Sequence, residues 1–392
     1  MAEELVRLLP ALVTKAGFFN PYRHGLGGGE KYLYTILEEA VRTPGVDVTL
    51  FSPEPPAPER WEELNVRVDP GSFRWRAAGP LGVTRHSRGL DLFVAIANHI
   101  PPLSLARHSA VIMQFPFTRL RDPGGLPRPL WPVRAADRRL RLRSYDTVLC
   151  YSEFVRRALV ERLELPDPVV LPPPVDTAGV EPGPKGRSLI AVGRFFPAVD
   201  SNNKKHDVLI DAFRRLTADP RADGWTLHLA GGCRDDAASQ AYLQDLRRRA
   251  NGLPVQFHPN VSRETLAGLY GQSPLFWHAA GHGERLPERF EHFGITTVEA
   301  MAHGCVPVVP ALGGQLEVVQ DRVDGRLWRS VDELVAITAE LMSDPETLAA
   351  LGAAAARDAG RFSRERFLER VRAELIAPAT GNALAPTLPL RD

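Results

Sequence analysis

Short apolar runs alternate with helix-length amphipathic stretches along the whole chain. In the first half the runs cover residues 8–16, 46–51, 90–97, 110–115, 146–151 and 169–171, each bounded by polar turns. Continuous rather than alternating hydrophobicity is what strands buried on both faces of a parallel sheet require. Between these runs, Leu33, Ile36, Leu37, Ala40 and Val41 recur at helical spacing over residues 30–42. A second helical stretch covers 133–143, and Ser152 stands as N-cap to a third over 153–164. The second half repeats the alternation, with strands at 188–192, 225–230, 255–257, 275–278 and 304–309. Helices are expected at 207–216, 240–250, 263–270, after Gly294, from Gly313-Gly314 through Val319, and at 331–342, 345–359 and 363–376.

Between the halves stands Pro172-Pro173-Pro174-Val175-Asp176, where three prolines stiffen the chain and forbid a helix. The pattern therefore predicts two doubly wound α/β domains, 1–174 and 175–362, with a helix at 363–376 packing back on the first and a disordered tail at 377–392. The first strand is expected to run into a loop over 17–29 that ends in Gly27-Gly28-Gly29, a turn through which backbone can approach a sugar or diphosphate. Asn98, His99 and Gln114 end two of the buried runs. In open α/β sheets ligands lie beyond the carboxyl ends of strands, so these polar residues are expected at a ligand cleft.

Candidate chemistry concentrates in the second half. Glu291 and Glu299 are eight residues apart, with Gly294 between them and an apolar helix start after it. Gly294 would let backbone pass close to a ligand, and the helix it opens would aim N–H groups and a positive dipole end at an anion. Upstream, Arg194 comes directly after a strand, and Lys204-Lys205 precede a helix. That arrangement places cations where a nucleotide diphosphate needs neutralising.

The Glu-x7-Glu spacing, with His292-Phe293-Gly294 inside it and Ala300-Met301 after it, resembles the donor-site signature of retaining GT-B glycosyltransferases of family 4. The strand at 304–309 and the pair Gly313-Gly314 look like the strand and Gly-rich turn downstream of that signature in the family. Glu291-His292-Phe293-Gly294, with Gly27-Gly28-Gly29-Glu30, is most similar to the lipid-linked oligosaccharide mannosyltransferase branch. The resemblance implies two Rossmann-like domains facing a cleft. It also implies a nucleotide-sugar donor, a glycan, lipid-linked or small-molecule acceptor, and no metal or other cofactor in the chemistry. Carried over residue by residue, Arg194 and a lysine would hold the diphosphate. The family usually has glycine after that lysine; with His206 taken as standing there, Lys205 is the choice and Lys204 the alternative. Glu291 would contact the sugar, Glu299 the ribose, and the backbone from His258 to Val261 the nucleobase. Gly28, Gly29, Gly231, Phe293, Gly294 and Ile295 would line the donor. Many members have a histidine where Gln114 stands here, so His99 is the candidate imidazole.

Composition narrows the alternatives. A net charge of +1 over 392 residues gives no reason to expect nucleic acid as a partner. The three cysteines are far apart and lack metal-ligand spacing, as buried thiols in a reducing compartment would. No apolar run reaches the roughly 20 residues that cross a bilayer, and a cytoplasmic location is expected. Eight arginines between 119 and 143 face only Asp122 and Asp137. They read either as a solvated helix face or as a contact for an anionic acceptor or the inner membrane surface. His278, His282, Glu284 and Glu291 match no metal pattern. Two rivals share the predicted site: a GT-B sugar-nucleotide epimerase, which would convert donor without acceptor, and a non-catalytic nucleotide-sugar-binding subunit.

Overall fold

The computed structural model describes residues 13–22, 27–55, 61, 64–116, 128–180, 183–197 and 203–381, and the fold and the site are those of these residues. They fall into two compact units. One holds the described residues up to 151 together with 155–174 and 365–381; the other holds 152–154 and 175–364.

The first unit runs β1 (Thr14–Phe19), α1 (Gly28–Arg42), β2 (Val46–Ser52), β3 (Arg74–Ala77), α2 (Pro80–Ser87), β4 (Leu92–Ala97), β5 (His108–Met113), α3 (Trp131–Arg143), β6 (Thr147–Cys150), α4 (Glu153–Leu163) and β7 (Val169–Val170). Its seven strands form one parallel sheet in the order β3-β2-β1-β4-β5-β6-β7. The continuous apolar runs of β4 and β5 are buried along nearly their whole length, as burial on both faces demands.

Three expectations need correction here. The first strand does not end at 16: Gly17, Phe18 and Phe19 continue it, while 8–12 lie outside the described residues. Gly17 is a packing glycine, since a Cβ there would stand 2.3 Å from Leu90 Cδ1. The edge strand β3 and helix α2 were missed because all four residues of Arg74-Trp75-Arg76-Ala77 are exposed, and α2 buries only Val83 and Ser87. An edge strand without a buried face leaves no hydrophobic signal. Finally, the chain is helical beyond 376, through Ala377–Thr380; the rest of the expected tail, 382–392, is outside the described residues. Helix α12 (Arg364–Val371) and its continuation pack on the first unit. Phe367 meets Tyr32 edge-on at 4.9 Å, Arg370 donates to the Val170 carbonyl at 2.7 Å, and Arg372 pairs with Glu39.

The second unit contains β8 (Ser188–Val192), α5 (His206–Leu216), β9 (Thr226–Gly231), α6 (Ala237–Arg249), β10 (Val255–Pro259), α7 (Arg263–Gln272), β11 (Leu275–Trp277), α8 (Ile295–Ala302), β12 (Val306–Pro310), α9 (Gln315–Val318), β13 (Arg326–Trp328), α10 (Val331–Ser343) and α11 (Pro345–Ala359). The parallel order is β10-β9-β8-β11-β12-β13. This is the Rossmann order, with its direction reversing between β8 and β11. The core is built on Leu189, Phe213, Leu227, Leu275 and Trp277, and the Trp277 indole donates to Thr338 Oγ1 at 3.0 Å. Val175 and Ser363, beside the two places where the chain leaves this unit, are bridged.

Candidate active site

The crevice where a doubly wound sheet reverses its order is where ligands bind, and here β8 and β11 flank it. Gly193, just past β8, donates its N–H to the Ala230 carbonyl at the end of β9. Gly231 has φ +151, and a Cβ on it would fall 2.0 Å from the Gly193 carbonyl oxygen. Only glycine lets these two strand ends close up. Arg194 comes next, its guanidinium 4.7 Å from the centre of the Phe196 ring, which Arg234 also approaches at 3.7 Å.

Two consecutive lysines then diverge. The Lys204 stem lies along Gly193, where a Cβ would stand 2.5 Å from Lys204 Cγ, and its Nζ reaches Glu291 Oε2 at 2.5 Å. Lys205 Nζ turns to Glu284 Oε1 at 2.5 Å, while Arg289 Nη1 holds Glu284 Oε2 at 3.1 Å. Lys205 is also the N-cap of α5, with left-handed φ of +57. That is the conformation a glycine normally supplies. His206 begins α5, 1% exposed, its ring stacked on Phe195 at 4.8 Å. Burial, and then the charge of Lys204, push its pKa down to about 3. Glu284, and with it the 279–289 loop, is thus anchored by Lys205, and Lys204 is the lysine that meets Glu291.

Glu291 is the hub. Both Lys204 Nζ and His278 Nε2, at 3.0 Å, approach its Oε2. Burial opposes the charge of Glu291, but the cation and the imidazole outweigh it and hold the carboxyl well below the usual range. His278, just past β11, is 2% exposed. Burial lowers its pKa, and the Glu291 carboxylate pulls part of the way back.

After Glu291 the backbone is fixed by glycines. The Gly314 N–H donates to the Glu291 carbonyl at 2.8 Å, and a Cβ on Gly314 would stand 2.3 Å from the His292 oxygen. Gly294, at φ +113, is the N-cap of α8 and has no side chain with which to cap it, so the opening N–H groups of the helix are available to an anion. Phe293 does not face this opening: its side chain is 3% exposed and edge-on to Phe362, which leaves only its backbone for a ligand. Ile295 is the first residue of α8 and half-buried. One turn on, Glu299 Oε2 accepts from the Tyr270 hydroxyl at 3.3 Å, which fixes where that carboxylate sits.

On the other side of Gly231, His258 lies at the end of β10 with Nε2 3.1 Å from His228 Nδ1, and Asn260 clamps Cys233 through N–H and carbonyl at 2.7 and 3.0 Å. Val261 comes after it, half-buried. The second unit therefore brings together Arg194, Lys204, Gly231, Glu291, Gly294 and Glu299 around its switch point, with His258 and Val261 at the flank. The remaining candidates belong to the first unit. Gly28 and Gly29 open α1, and a Cβ on Gly29 would overlap Gln114 Nε2. His99 is exposed on the turn after β4. From the sequence Lys205 is the preferred lysine and Lys204 the alternative, and His278 is weighed only as a metal ligand; in sequence His278 is one histidine among eleven.

Three arginines of the basic run are used internally. Arg119 and Arg121 lie outside the described residues. Arg138 is buried on α3, Arg139 pairs with Glu164 at 2.6 Å and Arg141 with Asp137 at 2.8 Å. Leu130, Val133 and Leu140 stand exposed beside them. Among the described residues no helix is long and apolar enough to cross a membrane.

Two Rossmann-like units, one with cations, a glycine-capped helix and paired glutamates at its switch point, are the architecture of a GT-B glycosyltransferase. The chain belongs to the family 4 glycosyltransferases: the model described as Glycosyltransferase Family 4 matches residues 26–178, and that for Glycosyl transferases group 1 matches 183–358. It is similar to the GDP-Man:Man(3)GlcNAc(2)-PP-Dol alpha-1,2-mannosyltransferase of Xenopus laevis, 31% identical over 46% of this chain, a match that spans only 36% of that protein. It is also similar to the GDP-mannose-dependent alpha-(1-6)-phosphatidylinositol monomannoside mannosyltransferase of Mycolicibacterium smegmatis, 26% identical over 83% of this chain and 81% of that one. In fold it resembles the glycosyltransferase of Rickettsia africae, at a TM-score of 0.68 and 14% identity, over 91% of this chain and 96% of that one.

Proposed function

We propose that the protein transfers a hexose, with GDP-mannose the first candidate donor, to an acceptor hydroxyl of a glycan or lipid carrier, with retention of configuration. The observation that carries this is the meeting of Lys204 with Glu291 at the switch point, one glycine-capped helix end away from Glu299. The donor base is supported by the two GDP-mannose-dependent relatives.

In this reading the largest task is stabilising the charge that builds on the departing diphosphate. Arg194, Lys204 and the N–H groups at the start of α8 share it. Glu299, oriented by Tyr270, takes the ribose hydroxyls, and the His258–Val261 backbone the base. Glu291 keeps its charge and binds sugar hydroxyls through Oε1, while Oε2 is held from the protein side. No carboxylate is assigned as a covalent nucleophile. The acceptor oxygen instead attacks on the face from which the diphosphate leaves, giving retention, and no metal takes part. The exposed Leu130, Val133 and Leu140 of the arginine-bearing α3 region support a peripheral contact with anionic lipid; binding to anionic vesicles that does not weaken as salt rises would remove its electrostatic part.

The deciding experiment incubates the protein with GDP-mannose or UDP-glucose and a panel of lipid and glycan acceptors, monitoring nucleotide release and the product's anomeric proton by NMR. An α-linked product from an α-donor is expected. An inverted linkage refutes retention, and a new sugar nucleotide formed without acceptor favours the epimerase.

A further inference from the structure

Glu291 has two nitrogen neighbours of unequal mobility on one oxygen. Lys204 Nζ stands 2.5 Å from Oε2 at the end of a flexible stem and is 21% exposed. His278 Nε2 stands 3.0 Å from the same oxygen, 2% exposed, and is not aligned into a hydrogen bond with it. With its proton on Nε2 the imidazole is a donor within reach of that oxygen. Its ring is held in place, stacked on Phe276 at 6.3 Å, and its backbone N–H reaches the Val308 carbonyl at 3.4 Å. The groups that face it are Glu291, Lys204 and the buried His206.

A lysine cannot give its full charge to a carboxylate and to a diphosphate together. When the donor's diphosphate draws Lys204 away, Glu291 is left ionised in a site only 16% exposed. An ionised carboxylate there needs another donor to hold its charge and its direction. We propose that His278 is a positioning residue which takes over Glu291 Oε2 as Lys204 moves to the diphosphate, and so keeps Oε1 aimed at the sugar. The inference rests on the reading of this crevice as the donor site. It adds that Lys204 exchanges partners during the cycle and that His278, a residue that touches neither donor nor acceptor, makes the exchange possible.

The test compares wild type, His278→Phe and His278→Gln. Phenylalanine keeps the ring volume and loses the donor; glutamine offers an N–H at similar reach. GDP affinity is measured by calorimetry, with kcat and donor KM from nucleotide release. Phe is expected to lower kcat about 10- to 100-fold, the worth of a hydrogen bond to a charged group. GDP affinity should stay within about 3-fold, because GDP carries no sugar for Glu291 to hold and such a change is below the worth of one hydrogen bond. Gln should restore most of kcat. Wild-type kcat in the Phe variant, or a folded Gln variant as slow as Phe, overturns the positioning role. If the Phe variant fails to fold, the Gln variant decides alone: near-wild-type kcat supports the role, a Phe-like loss refutes it. Wild type that binds neither GDP nor UDP removes the donor site itself, a result distinguishable from either of these.

Discussion

Replacing Lys204 with methionine keeps the stem that lies along Gly193 and removes only the charge. The pair it breaks is 2.5 Å long, with both side chains about four-fifths buried. At that distance and an effective dielectric near ~20, the gross attraction is about 7 kcal/mol. The variant recovers the desolvation of Lys204 but leaves Glu291 a buried charge with only His278 beside it. The net loss of stability is therefore expected near ~3 kcal/mol, a Tm fall of about 9 °C in a unit of this size. The rate should suffer as well. A preorganised charge aimed at a developing anion is worth about 10²- to 10³-fold in kcat. Lys205→Met is the control. It breaks the link to Glu284, a pair one-fifth exposed on each side that Arg289 also supports, and should change kcat by no more than about 3-fold. Initial rates across donor concentration, with circular dichroism to show folding, measure both. A Lys205 variant that is the slower of the two, or a Lys204 variant within a few-fold of wild type, refutes the assignment of the diphosphate to Lys204.

Other variants probe other links. Gly314→Ala puts a methyl 2.3 Å from the His292 oxygen and 2.7 Å from Phe293 Cα, both backbone, so it should cost about 1–3 kcal/mol and raise donor KM; an unchanged Tm would show that the turn yields easily. Tyr270→Phe removes the hydroxyl from Glu299 and should raise donor KM about 2- to 10-fold with kcat kept, whereas a loss confined to kcat would count against a ribose role for Glu299. Asp324, fully buried, has its pKa raised to about 6 by burial and by the neighbouring Asp358. The folded pKa lies above the unfolded one, so this group favours folding while protonated, and its contribution is lost as pH rises from about 4 through 6. Asp324→Asn should thus gain Tm relative to wild type between pH 5 and pH 8; a constant difference across that range would disprove the linkage.

The alternation of buried runs and amphipathic stretches was enough to reveal two parallel α/β sheets, because strands covered on both faces must be apolar throughout. Glu291, Gly294 and Glu299 were legible for a similar reason: a glycine-capped helix between two carboxylates is a local arrangement, written in adjacent residues. Strands β3 and β13 were not legible. β3 lies at a sheet edge with every residue exposed, and β13 has only three residues. Gly17 was read as the start of a loop because its reason for being glycine is Leu90, more than seventy residues away.

What the sequence determined by itself, then, is which residue types recur at which spacing: the layered architecture, the paired glutamates and the cations near a strand end. Which lysine faces Glu291 depended on the left-handed turn at Lys205, which sends two neighbouring side chains in opposite directions. The place of His278 depended on β11 and β8 meeting at the reversal of the sheet. Such partners are set by three-dimensional packing between residues far apart in the chain, and no local pattern encodes a distance of that kind.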